Sequence, residues 1–467
     1  MPSGIVTAPV VSPPVRSRYD ADLSARIAAS AASSQGAHLA TEDFTGWLAE
    51  RARTNRFRVD RIPFRDLDAW SFDERTGNLG HRSGRFFSVE GLHVTTDGPA
   101  GEWHQPIIRQ PEVGILGILA KEFDGVLHLL MQAKMEPGNP NLMQLSPTVQ
   151  ATRSNYSRVH QGSDVRYIEY FTRDLGRGRV LADALQSEHG SWFYHKSNRN
   201  MVVEVTDDVP AHEDFCWLTL GQIAELLHRD NVVNMDSRTV LACLPFDDGE
   251  RLALHPDVDV LSWFTAQRAG HDVHAARVPL AGLPGWVRDE DAIRHEQDRY
   301  FQVVAVSVLA GNREVTRWTQ PLFEPCGTGV TAFLSRRIGG VRHVLAHARV
   351  EGGFLDTIEL GPTVQYTPGN YAHLDAAARP PYLDLVLGAD PGAVRYEARH
   401  SEEGGRFRNA ESRYLVVDVD DAQVPLDPPP AYRWITRGQL TSLVRHNHYV
   451  NVQARTLLAC LNAMGDD

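Results

Sequence analysis

QAKMEPGNPNLMQLSPTVQATRSNY, residues 132–156, aligns without a gap on HARVEGGFLDTIELGPTVQYTPGNY, residues 347–371, and eleven of the 25 positions are identical. Further along, NVVNMDSRTVLACL (231–244) matches HYVNVQARTLLACL (448–461) at eight of 14 positions. Between them, GSWFYHKSNRNMVVEV resembles GGRFRNAESRYLVVDV. Upstream, Trp47, Arg61, Trp70, Arg85, Trp103 and Gln105 find counterparts in Trp263, Arg277, Trp286, Arg299, Trp318 and Gln320, and the offset stays between 214 and 217. That period is too long for a solenoid. The chain reads as two copies of one domain, 41–250 and 255–467, behind a Pro/Ser/Ala-rich arm expected to be disordered over 1–40.

Each copy reads as mixed α and β. Residues 113–120 and 126–133 are apolar, β-rich runs around Asp124-Gly125, and the second copy repeats them around Gly339-Gly340, both strong hairpin signals. The Val202–Val205 and Val416–Val419 runs read as further strands. Thr219-x-x-Gln222 and Thr436-x-x-Gln439 have capping-box spacing, and Asn234 and Asn451 read as N-caps of the closing helices. The fold class expected is α+β, built twice.

The 467 residues carry 47 basic and 59 acidic side chains, a formal charge of −12, which makes a poor partner for a nucleic-acid backbone. No apolar stretch approaches the roughly 18 residues that span a bilayer. The start shows no basic segment leading into an apolar core, so a cytoplasmic location is expected. Four scattered cysteines form no disulfide framework; Cys243 and Cys460 share the apolar word Leu-Ala-Cys-Leu and read as core. Only three basic residues are lysine, Lys121, Lys134 and Lys196. Arginine-favouring codons account for that bias, yet a lysine kept at 134 or 196 offers a tunable ammonium.

Duplication acts as a filter on polar residues. Glu136/Glu351, Gln150/Gln365, Asn155/Asn370 and Tyr156/Tyr371 persist in a Gly/Pro/Asn-rich loop following an apolar strand, the make-up of a polar pocket lining or of a turn whose side chains satisfy the backbone. Lys134, Arg153 and Ser146 occur only in the first copy, opposite Arg349, Pro368 and Gly361. Trp103/Gln105 and Trp318/Gln320 either stack on a base or sugar or pack into the core. Arg199/Arg413 and Arg238/Arg455 are shared cations suited to a diphosphate, or, for Arg238 and Arg455, to bracing their helices. The His343/His347 and His446/His448 pairs face His128/Gln132 and Arg229/Asn231 in the first copy, so no ligand set is shared and they read as satisfied or exposed histidines rather than a metal set. The Gly327–Ala332 string is a loose dinucleotide fingerprint that the first copy does not share.

The words QAKMEPGNPNLMQLSPTVQATRSNY, GSWFYHKSNRN and HYVNVQARTLLACL resemble the NDP-hexose 2,3-dehydratase family of deoxysugar biosynthesis, over nearly the whole chain after the arm. The resemblance implies a tandem Nudix-like fold and a homodimer. It implies a dTDP-4-keto-6-deoxy-D-glucose substrate, a 3,4-diketo-2,6-dideoxy product and a separate NADPH-dependent 3-ketoreductase to consume it. The metal-binding Nudix string G-x5-E-x7-R-E-x2-E-E is absent from both copies, and neither metal nor cofactor is expected.

The reaction needs a base for the carbon-3 proton, donors for the enolate and an acid for the departing 2-hydroxyl. Glu136 or Lys134 is expected as base, Tyr156 and Asn155 at the enolate, and Arg153 or His160 at the leaving group. Arg199, Lys196 and Arg238 are expected at the diphosphate, with Trp103, Gln105, Ser146, Thr148 and Gln150 lining the base or sugar. The second copy's Trp318, Gln320, Arg349, Glu351, Gln365, Asn370, Tyr371, Arg413 and Arg455 either line a second, degenerate pocket or complete the first. A metal-dependent hydrolase and a non-catalytic sugar-nucleotide binder are the alternatives.

Overall fold

The computed structural model describes residues 20–84, 86–98, 101–152, 165–172, 178–246, 249–311 and 316–464. Each copy holds a seven-stranded mixed sheet. In the first the order is 179–187, 197–204, 114–123, 126–135 and 215–219, with short strands 143–146 and 149–151 completing it; the second copy repeats the arrangement. Ser197–Glu204 runs parallel to Gly114–Phe123, as Glu411–Asp418 does to Gly329–Ile338, and the remaining pairs are antiparallel. The hairpins turn where the sequence places them, with positive φ at Asp124, Gly125, Gly339 and Gly340. Both capping boxes form in full, and Asn234 and Asn451 cap the closing helices Met235–Ala242 and Val452–Ala463.

The two copies are interlocked. Phe57–Ile62, from the first, pairs with Phe301–Ala310 of the second; Val273–Val278, from the second, pairs with Ser88–Thr96 of the first. Each smaller sheet therefore contains one strand of the other copy, so the sequence units 41–250 and 255–467 are not separate packing units. The closing helices pack on each other, and the main core joins residues of both copies.

Arg238 and Arg455 lie at this junction. Each is fully buried. Arg238 donates to the carbonyls of Val233 and Ser401 and to Thr456 Oγ1. Arg455 mirrors it, donating to Val450, Ser187 and Thr239. These contacts correct the expected diphosphate role: both guanidiniums brace the two copies through buried backbone oxygens.

The expected arm is corrected too. Residues 1–19 lie outside the described residues, but Ala21–Ala31 is a helix N-capped by Asp20. Leu23 and Ile27 are buried in the core, and Ser30 Oγ donates to Leu127 O and accepts from Leu220 N. The sequence 21–31 is rich in alanine, a strong helix former, and its apolar spacing i, i+4 docks one face.

Candidate active site

The loop after strand Val126–Met135 reaches the other copy. Gly138 N donates to Gly404 O at 2.7 Å, and Asn409 N returns a bond to Gly138 O at 2.8 Å. Gly353 makes the equivalent pair with Gly190 O and His195 N. A Cβ on Gly138 would stand 1.6 Å from Phe407 O, and one on Gly353 1.9 Å from Phe193 O, so only glycine permits this approach. Two pseudo-equivalent sites result, each with its loop from one copy and its facing turn from the other.

In the first of these, Glu136 is 5% exposed and lies 3.3 Å from Lys134 Nζ, while Gln150 Nε2 donates to its Oε1 at 2.8 Å. Glu403 and Arg406 come from the second copy's turn, both partly exposed, and buried Asp236 from the first turn of the closing helix. A Cβ at Gly405 would stand 3.1 Å from Glu403 Oε1 and 3.9 Å from Glu136 Oε1, so the two carboxylates flank one small space. Burial pushes the Glu403 carboxyl up to about 7; Arg406 opposes this, and the charges of Glu188 and Glu136 add to it. Burial also holds Asp236 well above the usual range, helped by Glu403, Glu188 and Glu136 and opposed by Lys134. Arg406 is anchored by Gln110 Oε1 at 3.0 Å and lies over the Phe87 ring.

The second site keeps the plan with different chemistry. Arg349 Nε lies 2.8 Å from Glu351 Oε1, and Gln365 Nε2 donates to the same oxygen at 2.9 Å. Gln453 stands where the first site has Asp236, His189 where it has Glu403, and Trp192 where it has Arg406. Burial opposes charging His189, but Glu402, 3.0 Å away, outweighs it and raises the ring's pKa. Gln453 Nε2 lies 2.7 Å from His189 Nδ1, and Gln453 Oε1 has no partner among the described residues. The first site thus pairs carboxylates with cations, and the second is closed by an internal ion pair and an aromatic ring.

The expected residues distribute between these sites and the scaffold. Lys134, Glu136 and Gln150 gather at the first site. Ser146, fully buried, accepts from Asn234 Nδ2 beside them. Arg349, Glu351 and Gln365 gather at the second site. Tyr371 packs edge-on to Tyr366, whose ring carries Arg349, and burial raises its hydroxyl pKa. Asn370 turns away to accept from Tyr300 N. Arg153, Asn155, Tyr156 and His160 lie outside the described residues.

The tryptophan–glutamine pairs serve the crossed turns. Trp103 Nε1 donates to Gln105, which donates to Ser191 O of the Glu351 site; Trp318 and Gln320 do the same for Gly405 O of the Glu136 site. Thr148 is a buried strand brace between Leu130 O and Leu119 N. Lys196 is buried on Glu112 O and Asn198 Oδ1 with its pKa lowered by desolvation. Arg199 is held bidentately by Asp183, and Arg413 donates through Nε to Glu397 Oε1 beside a separate cavity of about 360 Å³ that includes His228 and Val386. Neither joins the carboxylate cluster. His343 bonds Val341 O and Leu254 N, a satisfied histidine.

Asp236, Glu403 and Arg406 were not anticipated. All three differ between the copies, and a filter that retains shared polar residues discards them. Their signal is the reverse one: charged residues in the first site replaced by Gln453, His189 and Trp192 in the second.

A buried carboxylate held by lysine and amide beside carboxyls of raised pKa is a candidate acid–base site, in a protein built from two interlocked α+β copies. A family profile for NDP-hexose 2,3-dehydratases matches residues 41–244 and again 257–461. The chain is 62% identical over 455 residues to a dTDP-4-dehydro-6-deoxy-alpha-D-glucopyranose 2,3-dehydratase of Amycolatopsis orientalis, covering 96% of each chain. Proteins of the same description from Streptomyces violaceoruber and Saccharopolyspora spinosa are 54% and 52% identical, over 91% and 94% of this chain and 98% and 95% of theirs. The chain belongs to the NDP-hexose 2,3-dehydratase family.

Proposed function

We propose that the protein removes the 2-hydroxyl of dTDP-4-keto-6-deoxy-D-glucose, leaving the 3,4-diketo-2,6-dideoxy sugar, at the Glu136 site. The observation that carries this reading is the juxtaposition of Glu136, bonded by Lys134 and Gln150, with Glu403, whose carboxyl is pushed up to about 7. The carbon-4 ketone acidifies the carbon-3 proton. Glu136 takes it, and the electron pair moves into the enolate. That pair then expels the carbon-2 hydroxyl, which leaves as water with the proton of Glu403. The resulting enol tautomerises to the 3-ketone. Carbon 3 is oxidised as carbon 2 is reduced within one sugar, so the balance needs no external electron carrier. Lys134 and Arg406 supply positive charge for the developing oxyanion.

Each copy is read as Nudix-like, supported by the mixed sheet with its parallel central pair and capped helices. The working form is read as a cytoplasmic homodimer; among the described residues no helix is long and apolar enough to cross a membrane. The reactive diketone calls for a following reduction at carbon 3, assigned to a separate NADPH-dependent ketoreductase. Incubating chelator-treated protein with the 4-keto sugar, such a ketoreductase and NADPH tests the reading. Mass spectrometry should show a sugar that has lost one water and gained two hydrogens. An unchanged sugar, or magnesium-dependent release of a sugar phosphate, would refute it.

A further inference from the structure

Strands Ser88–Thr96 and Glu102–Arg109 of the first copy pair antiparallel, with His93 opposite His104 and Thr95 opposite Glu102. Residues two apart on a strand share a face, so His93, Glu102 and His104 project together. The other face carries Leu92 and Val94, both fully buried, and Trp103. The imidazoles of His93 and His104 stack at 4.4 Å with 2° between their planes, and His93 Nε2 lies 2.8 Å from Glu102 Oε1. One donor atom from each of the three residues lies within 4.8 Å of the other two. Side-chain exposures of 33% for His93 and 60% for Glu102 leave the face open to solvent.

We propose that His93, Glu102 and His104 form a binding site for a divalent transition metal of the zinc type. Two imidazoles and one carboxylate on adjacent strands form a set of three ligands with a fourth position left to water, a donor mixture that favours zinc over magnesium or calcium. Ligand atoms about 2.0–2.1 Å from a tetrahedral ion lie about 3.3 Å apart, so rotamer adjustments of the order of an ångström close the set. The paired backbone already fixes the three Cα positions. The second copy has Ser307 opposite Thr319 and Arg317 beside its own Trp318 in the matching register. The site therefore belongs to the first copy alone and lies outside the acid–base machinery.

Its placement gives it a structural consequence. Trp103, between the ligands Glu102 and His104, lies 3.4 Å from where a Cβ of Gly352 would be, in the loop of the Glu351 site. An ion on the outer face pins the strand that covers that loop.

The test uses tag-free, chelator-treated full-length protein titrated with Zn2+ by calorimetry and with Co2+ by visible absorption. The expected result is one equivalent bound with micromolar or tighter affinity, weakened at least 100-fold in His93→Asn/His104→Asn, and a zinc-dependent rise in Tm only in the parent. The double variant should keep the parent's circular dichroism and metal-free turnover, which separates ligand loss from misfolding. Absence of binding at millimolar Zn2+, or binding undiminished in the variant, would overturn the site.

Discussion

Ser146 Oγ accepts a hydrogen bond from Asn234 Nδ2 at 2.9 Å, and Gln150 Oε1, buried close by, has no partner among the described residues. In the second site Gly361 replaces the serine, and Asn451 Nδ2 donates to Gln365 Oε1 instead, also at 2.9 Å. One hydroxyl thus distinguishes a glutamine oxygen bonded internally from one left without a partner among the described residues.

Ser146→Gly should let Asn234 swing to Gln150 and convert the first site to the second's wiring. The expected outcome is a fall in kcat/KM of roughly tenfold, about 1.4 kcal/mol, the scale of one hydrogen bond to a substrate. Steady-state kinetics alongside a melting curve checks it; unchanged kcat/KM would show that the freed oxygen meets nothing in the reaction.

Glu403 must be protonated to assist departure of the hydroxyl. With its carboxyl pushed up to about 7, kcat/KM should fall about tenfold per pH unit above neutrality. Glu403→Gln should be slow and lack that alkaline limb. A pH–rate profile identical in shape for both proteins would remove Glu403 from the acid's role.

Asp236 gives a stability prediction of definite sign. Its folded pKa stands well above the ordinary carboxyl value, so in the window between the two the folded chain binds the extra proton. Unfolding free energy therefore decreases as pH rises through that window. Asp236→Asn should gain stability relative to the parent as pH rises above the ordinary carboxyl range, read as diverging Tm curves; parallel curves would contradict the shift.

Arg238 and Arg455 should behave as braces. Removing either leaves buried carbonyls without donors, so Arg238→Ala and Arg455→Ala should each cost roughly 3–5 kcal/mol by denaturant melts. Arg199→Ala, at a partly exposed pair with Asp183, should cost less than about 1 kcal/mol and leave KM unchanged. A large KM increase in Arg199→Ala would place it at the diphosphate.

Much of this architecture is legible in the residues, because hairpins, capping boxes and N-caps are local. Asp124-Gly125 and Thr219-x-x-Gln222 state their conformations within a few positions. The exchange of Phe57–Ile62 for Val273–Val278 is not local, and neither strand carries a mark saying which copy it joins. Glu136 and Gln150 stood out because both copies keep them. Asp236, Glu403 and Arg406 did not, since the copies diverged there and since Glu403 reaches Glu136 only through the crossing at Gly138. The helix Ala21–Ala31 was hidden by the Pro/Ser/Ala composition of the segment preceding it.

The most direct test of catalysis at the Glu136 site compares Glu136→Gln with Glu351→Gln in the trapped-product assay, each variant first confirmed folded. Turnover should fall at least a thousandfold in Glu136→Gln and stay within about tenfold of the parent in Glu351→Gln. Loss of turnover in Glu351→Gln with Glu136→Gln still active would place the chemistry in the other site and contradict the account.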